Sequence, residues 1–163
     1  MLKLNLKNIV INITIVLTIF LLDRFTKNYI LDLVELDTSL NIYLNEYLNL
    51  YLIWNKGIAF GLFSFDQSSI YNTITIIILI ITIIILAMIW KADGLKKYSL
   101  IFVFGGSLGN IFDRVYYSAV PDFIDLHINN FHWFIFNVAD IFISLGVILL
   151  IITELAFDKK NND

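Results

Sequence analysis

The stretch IYNTITIIILIITIIILAMIW, Ile70–Trp90, runs for 21 residues without a charged side chain. At 1.5 Å per residue a helix of that length reaches about 31 Å, enough to cross the hydrocarbon core of a bilayer. Its isoleucines and threonines would suit a β-strand in water. In lipid an open strand leaves backbone donors and acceptors unsatisfied, so the stretch predicts a membrane-spanning helix.

Three further segments extend this reading. Ile9–Ile30 is uncharged as far as Leu22, then carries Asp23, Arg24 and Lys27 near its far end. No small-x-small cleavage site follows it, so it reads as a retained span and not a removed signal. Spans are also predicted over Tyr98–Arg114 and Phe136–Phe157, each with its charges at one end. The expected fold class is an α-helical integral membrane protein with four transmembrane helices and a small extracytoplasmic β-sheet, forming one domain over residues 1–163. Composition agrees: 59% of the 163 residues are hydrophobic and 15% charged, whereas soluble domains carry about a quarter charged residues.

With four spans the two termini share a side with the 91–97 loop. Lys3, Lys7, Lys91, Lys96, Lys97, Lys159 and Lys160 fall there, seven basic residues against Arg24, Lys27, Lys56 and Arg114 on the other side. The positive-inside rule then predicts cytoplasmic termini. The absence of cysteine excludes thiol catalysis, disulfides and a lipidated cysteine of the chain's own. A net charge of -3 gives no basic footprint for nucleic acid.

Between the first two spans, Tyr43, Asn45, Tyr47, Asn49 and Tyr51 alternate with Leu44, Glu46, Leu48, Leu50 and Leu52. Period-two alternation predicts strands, and the segment 31–69 is expected to form the small sheet on the membrane surface. The connection between spans three and four reads as a short loop. His127 and His132 lie in it and read as solvated side chains, because two histidines without a carboxylate at helical spacing make a poor zinc pattern.

Antiparallel threading brings Asp23, Asn110, Asp113, Arg114, Asn137 and Asp140 to one membrane face. Ionisable groups within spans are expensive and are by default functional candidates. Asp23 with Arg24, and Asp113 with Arg114, read as readily as solvated interfacial charges or helix-locking ion pairs as they do as functional groups. Asp140 stands among apolar neighbours with no base nearby in sequence, and Asp122 or Asp125 of the preceding connection can fold back to it. Two aspartates sharing a proton supply an acid and a base together, though proton relays use the same residues. The alternative reading is therefore a small transporter or proton-relay subunit. Gly105, Gly106 and Gly109 offer a small-xxx-small register for close helix packing. Ser107 among them lacks the nearby base that a serine nucleophile needs.

Five segments together resemble the motifs of the lipoprotein signal peptidases, also called signal peptidase II. They are Leu22-Asp23-Arg24-Phe25-Thr26-Lys27, Asn55-Lys56-Gly57-Ile58-Ala59-Phe60-Gly61, Gly105 through Arg114, Val120-Pro121-Asp122-Phe123-Ile124-Asp125 and Phe136-Asn137-Val138-Ala139-Asp140. The resemblance implies an aspartic endopeptidase of the bacterial inner membrane that acts on diacylglyceryl-modified prolipoproteins, cutting before the lipidated cysteine without metal or cofactor. It implies Asp122 and Asp140 as the catalytic pair, with Asn55, Asn110, Arg114 and Asn137 lining the substrate site and Asp23 in support. It implies a mobile flap within 31–69, an active site on the outer face and contact with membrane lipid. A monomer is expected. Arg24 stands where the family often has glutamine, and Pro121 where valine is usual. Asp125 competes with Asp122, which the motif favours.

Overall fold

The computed structural model describes residues 6–36, 41–57, 68–129 and 131–162. In chain order the elements are α1 (Leu6–Leu36), β1 (Asn41–Asn45), β2 (Leu48–Asn55), α2 (Ser68–Lys91), α3 (Gly94–Tyr117), β3 (Val120–Ile128), β4 (Phe131–Phe136) and α4 (Val138–Asn162).

Three of the helices are long and apolar enough to cross a membrane: Leu6–Glu35, Ile70–Lys91 and Val138–Ala156. Isoleucines such as Ile76, Ile80 and Ile83 of α2 face outward and exposed, the arrangement expected where the surrounding solvent is hydrocarbon. The fourth helix, α3, is 24 residues long and occupies the middle of the bundle, packed against α1, α2 and α4. Its more polar composition reflects that position, since Ser99, Ser107, Asp113 and Arg114 are all buried inside the protein.

Glycine lets the helices meet. A Cβ on Gly105 would lie 3.1 Å from Ile19 of α1, and one on Gly106 would lie 2.5 Å from the Ala139 carbonyl of α4. On Gly109 it would lie 2.5 Å from Asp23 Oδ2. The small-residue register thus serves two partners, α1 on one side and α4 on the other. The α2–α3 connection is only Ala92 and Asp93, with Gly94 at φ +57, so the two helices run antiparallel. Ser118 ends α3 in the left-handed conformation, φ 57, and turns the chain into β3.

The sheet corrects one expectation. It is four-stranded and antiparallel in the order β1-β2-β3-β4, and half of it comes from the connection read as a short loop. The 41–55 hairpin forms as the alternation predicts. Its second strand then pairs with β3, placing Ile53 opposite Asp122 and Asn55 opposite Val120. Pairing supplies the backbone partners that a lone hairpin lacks. The predicted helical boundaries also shift: α1 continues to Leu36 and α3 begins earlier, at Gly94, while Phe136 belongs to β4 and α4 starts later, at Val138. Phe123 of β3 packs with Ile30, Leu33 and Val34 of α1, anchoring the sheet to the bundle.

Candidate active site

Asn137 lies between β4 and α4 and caps the helix. Its Oδ1 accepts from Asp140 N–H at 3.1 Å, while Asp140 Oδ2 accepts from Asn137 N–H at 3.2 Å. This reciprocal exchange is a capping box with aspartate at the third helical position. It fixes the Asp140 side chain over the first turn. The Asn137 Nδ2 group remains free to reach the sheet, where it donates to Asp122 Oδ1 at 2.6 Å.

The two carboxylates are otherwise held by amides. Asp122 Oδ2 accepts from Asn55 Nδ2 of β2 at 2.9 Å, and Asp140 Oδ1 accepts from Asn110 Nδ2 of α3 at 2.8 Å. Each of the four oxygens therefore has one amide donor. Both are buried, with 2% exposure for Asp122 and 3% for Asp140. Burial first, and the charge of Asp140 after it, push the Asp122 carboxyl up to about 7, against the pull of the two amide bonds. The Asp122 carboxyl thus titrates close to neutrality. Beside Asp140 opens a groove of about 230 Å³ lined by Phe136, Ile141, Ser144, Leu145 and Ile148.

Behind the pair lies a buried charge cluster. Lys27 Nζ sits 2.6 Å from Asp113 and 2.9 Å from Asp23, and Arg24 sits 2.9 Å from Asp23 and 2.6 Å from Asp113. Two cations against two carboxylates compensate one another where isolated charges would be prohibitive. The cluster reaches the candidate pair twice. Lys27 Nζ donates to Asn110 Oδ1 at 3.0 Å, orienting the amide that serves Asp140. Asp23 Oδ1 accepts from Ala139 N–H at 3.0 Å, one of the unpaired donors of the α4 N-terminus.

Of the residues singled out from sequence, Asn55, Asn110 and Asn137 each contact a carboxylate of the pair, and Asp23 acts one residue away through Ala139 and Lys27. Arg114 stands apart. Its guanidinium donates to the Gly57 carbonyl and lies 5.4 Å over the Tyr71 ring, while Tyr71 Oη donates to the Arg114 carbonyl at 3.3 Å. Asp125 is engaged elsewhere, 2.8 Å from His132 Nδ1. Lys27 was missed as a site residue and counted only as an outer basic charge. Its spacing of four residues from Asp23 on one helix was the available signal. The reading of both histidines as solvated loop residues is corrected for His127, which lies buried on β3 and faces His132 of β4. The expected flap falls partly on residues 37–40 and 58–67, which lie outside the described residues.

Fold and site together define a class: a helical membrane protein with a buried, amide-bridged pair of aspartates at one end of its bundle. A family model described as signal peptidase (SPase) II matches residues 15–156. The chain is 56% identical over 161 residues to the lipoprotein signal peptidase of Pelagibacter ubique (strain HTCC1062), covering 99% of this chain and 97% of that one. It is 37% identical over 142 residues to that of Aquifex aeolicus (strain VF5), covering 86% and 83%. A bacterial membrane enzyme solved by the in meso method superposes with a TM-score of 0.70 at 29% identity, over 93% of this chain and 91% of that one. The chain belongs to the signal peptidase II family, and is a protease by that membership.

Proposed function

We propose that the chain is an aspartic endopeptidase that removes the signal peptide from diacylglyceryl-modified prolipoproteins, cutting before the lipidated cysteine. The observation that carries this reading is Asn137, which hydrogen-bonds Asp122 and Asp140 at once. Two carboxylates held around one residue in a buried site share a proton. The ionised member takes a proton from water while the protonated member hydrogen-bonds the scissile carbonyl. The pair titrates as a unit, so the acid belongs to neither residue alone. Acid and base both come from the pair, and the chemistry needs no cofactor.

Asn55, Asn110 and Asn137 orient the carboxylates, and Lys27 and Asp23 hold those amides and the α4 N-terminus in place. The groove of Phe136, Ile141, Leu145 and Ile148 runs from Asp140 along the outward face of α4. It suits an acyl chain or an apolar signal segment arriving sideways from the bilayer. The lysine distribution supports an orientation in the inner membrane with both termini cytoplasmic and the pair at the outer face. Arg114 and Gly57 steady the β2 end, where the peptide would pass, and the protein acts as a monomer.

The test is cleavage by the purified, detergent-solubilised chain of a prolipoprotein with and without diacylglyceryl on its cysteine. Cutting of the lipidated form alone, immediately before that cysteine, is expected. Equal cutting of both forms would defeat the substrate assignment.

A further inference from the structure

A second cluster lies on the sheet, outside the site just described. Asp125 and His127 are two residues apart on β3 and so share a face. A bulge brings β4 to them: Leu126 pairs with Phe134 but His127 pairs with His132, so Trp133 is the extra residue. In regular register His127 would face Trp133. The irregularity re-aims His132 at the cluster, a recurrent use of bulges.

The imidazoles stack with centroids 5.3 Å apart, and His132 Nδ1 lies 2.8 Å from Asp125 Oδ2. His127 Nδ1 lies 3.9 Å from the same oxygen, beyond hydrogen-bond reach, and is buried without a hydrogen-bond partner. One ligand atom from each of the three residues falls within 4.8 Å of the others. Asp125 and His127 are 2% and 8% exposed, so both are held by the sheet, while the His132 side chain is half exposed and free to adjust. Asn49, paired opposite Asp125 on β2, carries a buried side-chain oxygen that also lacks a hydrogen-bond partner. A buried imidazole nitrogen left unpaired is costly unless something occupies the space it faces.

We propose that Asp125, His127 and His132 bind one divalent transition-metal cation of the zinc type, tying β3 to β4. Two imidazoles and a carboxylate match the preferences of such an ion and suit hard cations such as Mg²⁺ poorly. Tetrahedral ligands stand about 3.3 Å apart around zinc, so donors within 4.8 Å of one another need close by no more than about 1.5 Å. Asp122 is not among them. The cation steadies the strand that carries Asp122 and takes no part in peptide cleavage, and the proposal stands whether or not the proposed substrate is right.

The experiment is zinc binding to the metal-stripped, detergent-solubilised full chain, by calorimetry and by metal content after dialysis, with Mg²⁺ as the contrast. One equivalent of Zn²⁺ is expected, with a raised unfolding temperature and no comparable Mg²⁺ uptake. His132→Ala, at an exposed position that spares the fold, should weaken zinc binding at least about tenfold and abolish the thermal shift. Asp125→Asn should do the same. The proposal is overturned by the absence of a stoichiometric site, or by zinc binding that His132→Ala leaves unchanged.

Discussion

Asn137 Nδ2 donates to Asp122 Oδ1 across 2.6 Å, so the residue that starts α4 also fixes the carboxylate of β3. Its Oδ1 meanwhile caps the Asp140 N–H. Helix and strand are thereby locked at the point where the two carboxylates meet.

Asn137→Ala removes both bonds. Cleavage should fall about 100-fold, the scale expected when a reacting group moves by about 1 Å, and loss of the cap should cost about 1 kcal/mol of stability. Asn137→Ser separates the two effects, because serine still caps but is too short to serve Asp122. Initial rates and thermal unfolding, measured side by side, should show Ser retaining stability and losing rate. A serine variant with wild-type rate would remove the reason for giving Asn137 a positioning role.

Lys27 is fully buried between Asp23 and Asp113. Lys27→Met leaves two carboxylates with Arg24 alone and should destabilise the protein by about 3–5 kcal/mol, the usual cost of breaking a buried charge pair. The same change frees Asn110 from Lys27 Nζ, so activity should fall in whatever protein survives. Lys96→Ala is the control: its exposed ion pair with Glu154 should be worth less than about 1 kcal/mol. Unfolding in detergent distinguishes them, and equal effects would mean the buried cluster contributes nothing special.

Gly106→Ala would press a methyl to within 2.5 Å of the Ala139 carbonyl, one residue before Asp140. Backbone cannot yield as a side-chain tip can. The expected cost is about 1–3 kcal/mol, with a drop in cleavage because α4 must shift at its first turn. Gly105→Ala meets only the Ile19 side chain at 3.1 Å and should be milder. A reversed order of the two variants in thermal unfolding would contradict the helix contacts described above.

Asp122, raised to about 7 by burial and then by the charge of Asp140, carries a proton that the unfolded chain releases near pH 4. Between those values the folded state binds more protons. This residue's contribution to stability is therefore fully present below about pH 4 and is lost as pH rises through about 7. The unfolding temperature should fall between pH 5 and pH 8, and fall less in Asp122→Asn. The rate should also decline on the alkaline side near pH 7, as the pair gives up its shared proton. A variant melting curve that tracks the wild type at every pH would contradict the raised value.

Much of this molecule is readable from local sequence. Ile70–Trp90 became α2 within two residues at one end and one at the other, because an uncharged run in lipid has a single backbone solution. The alternation from Tyr43 to Leu52 gave its hairpin. β3 stayed hidden because Pro121, Asp122 and Asp125 interrupt its pattern, and strand pairing with β2 is a long-range contact that no local period reports. For the same reason Phe131–Ile135 reads as part of the connecting loop and Phe136 as the start of a span, where the structure has β4. α1 continues past the predicted end at Ile30 as Ile30, Leu33 and Val34 pack with Phe123 of β3, a long-range contact invisible along one helix. The bulge at Trp133 that joins His127 to His132 has no signature of its own.

The most direct measurement is processing of a diacylglyceryl-modified prolipoprotein by Asp122→Asn and Asp140→Asn, each purified from the membrane fraction and compared with wild type. Asparagine keeps the shape and one of the two accepting oxygens while removing the proton chemistry. Both variants should accumulate, fold and leave the substrate uncut. Full cleavage by either one would show that the paired aspartates do not perform the reaction.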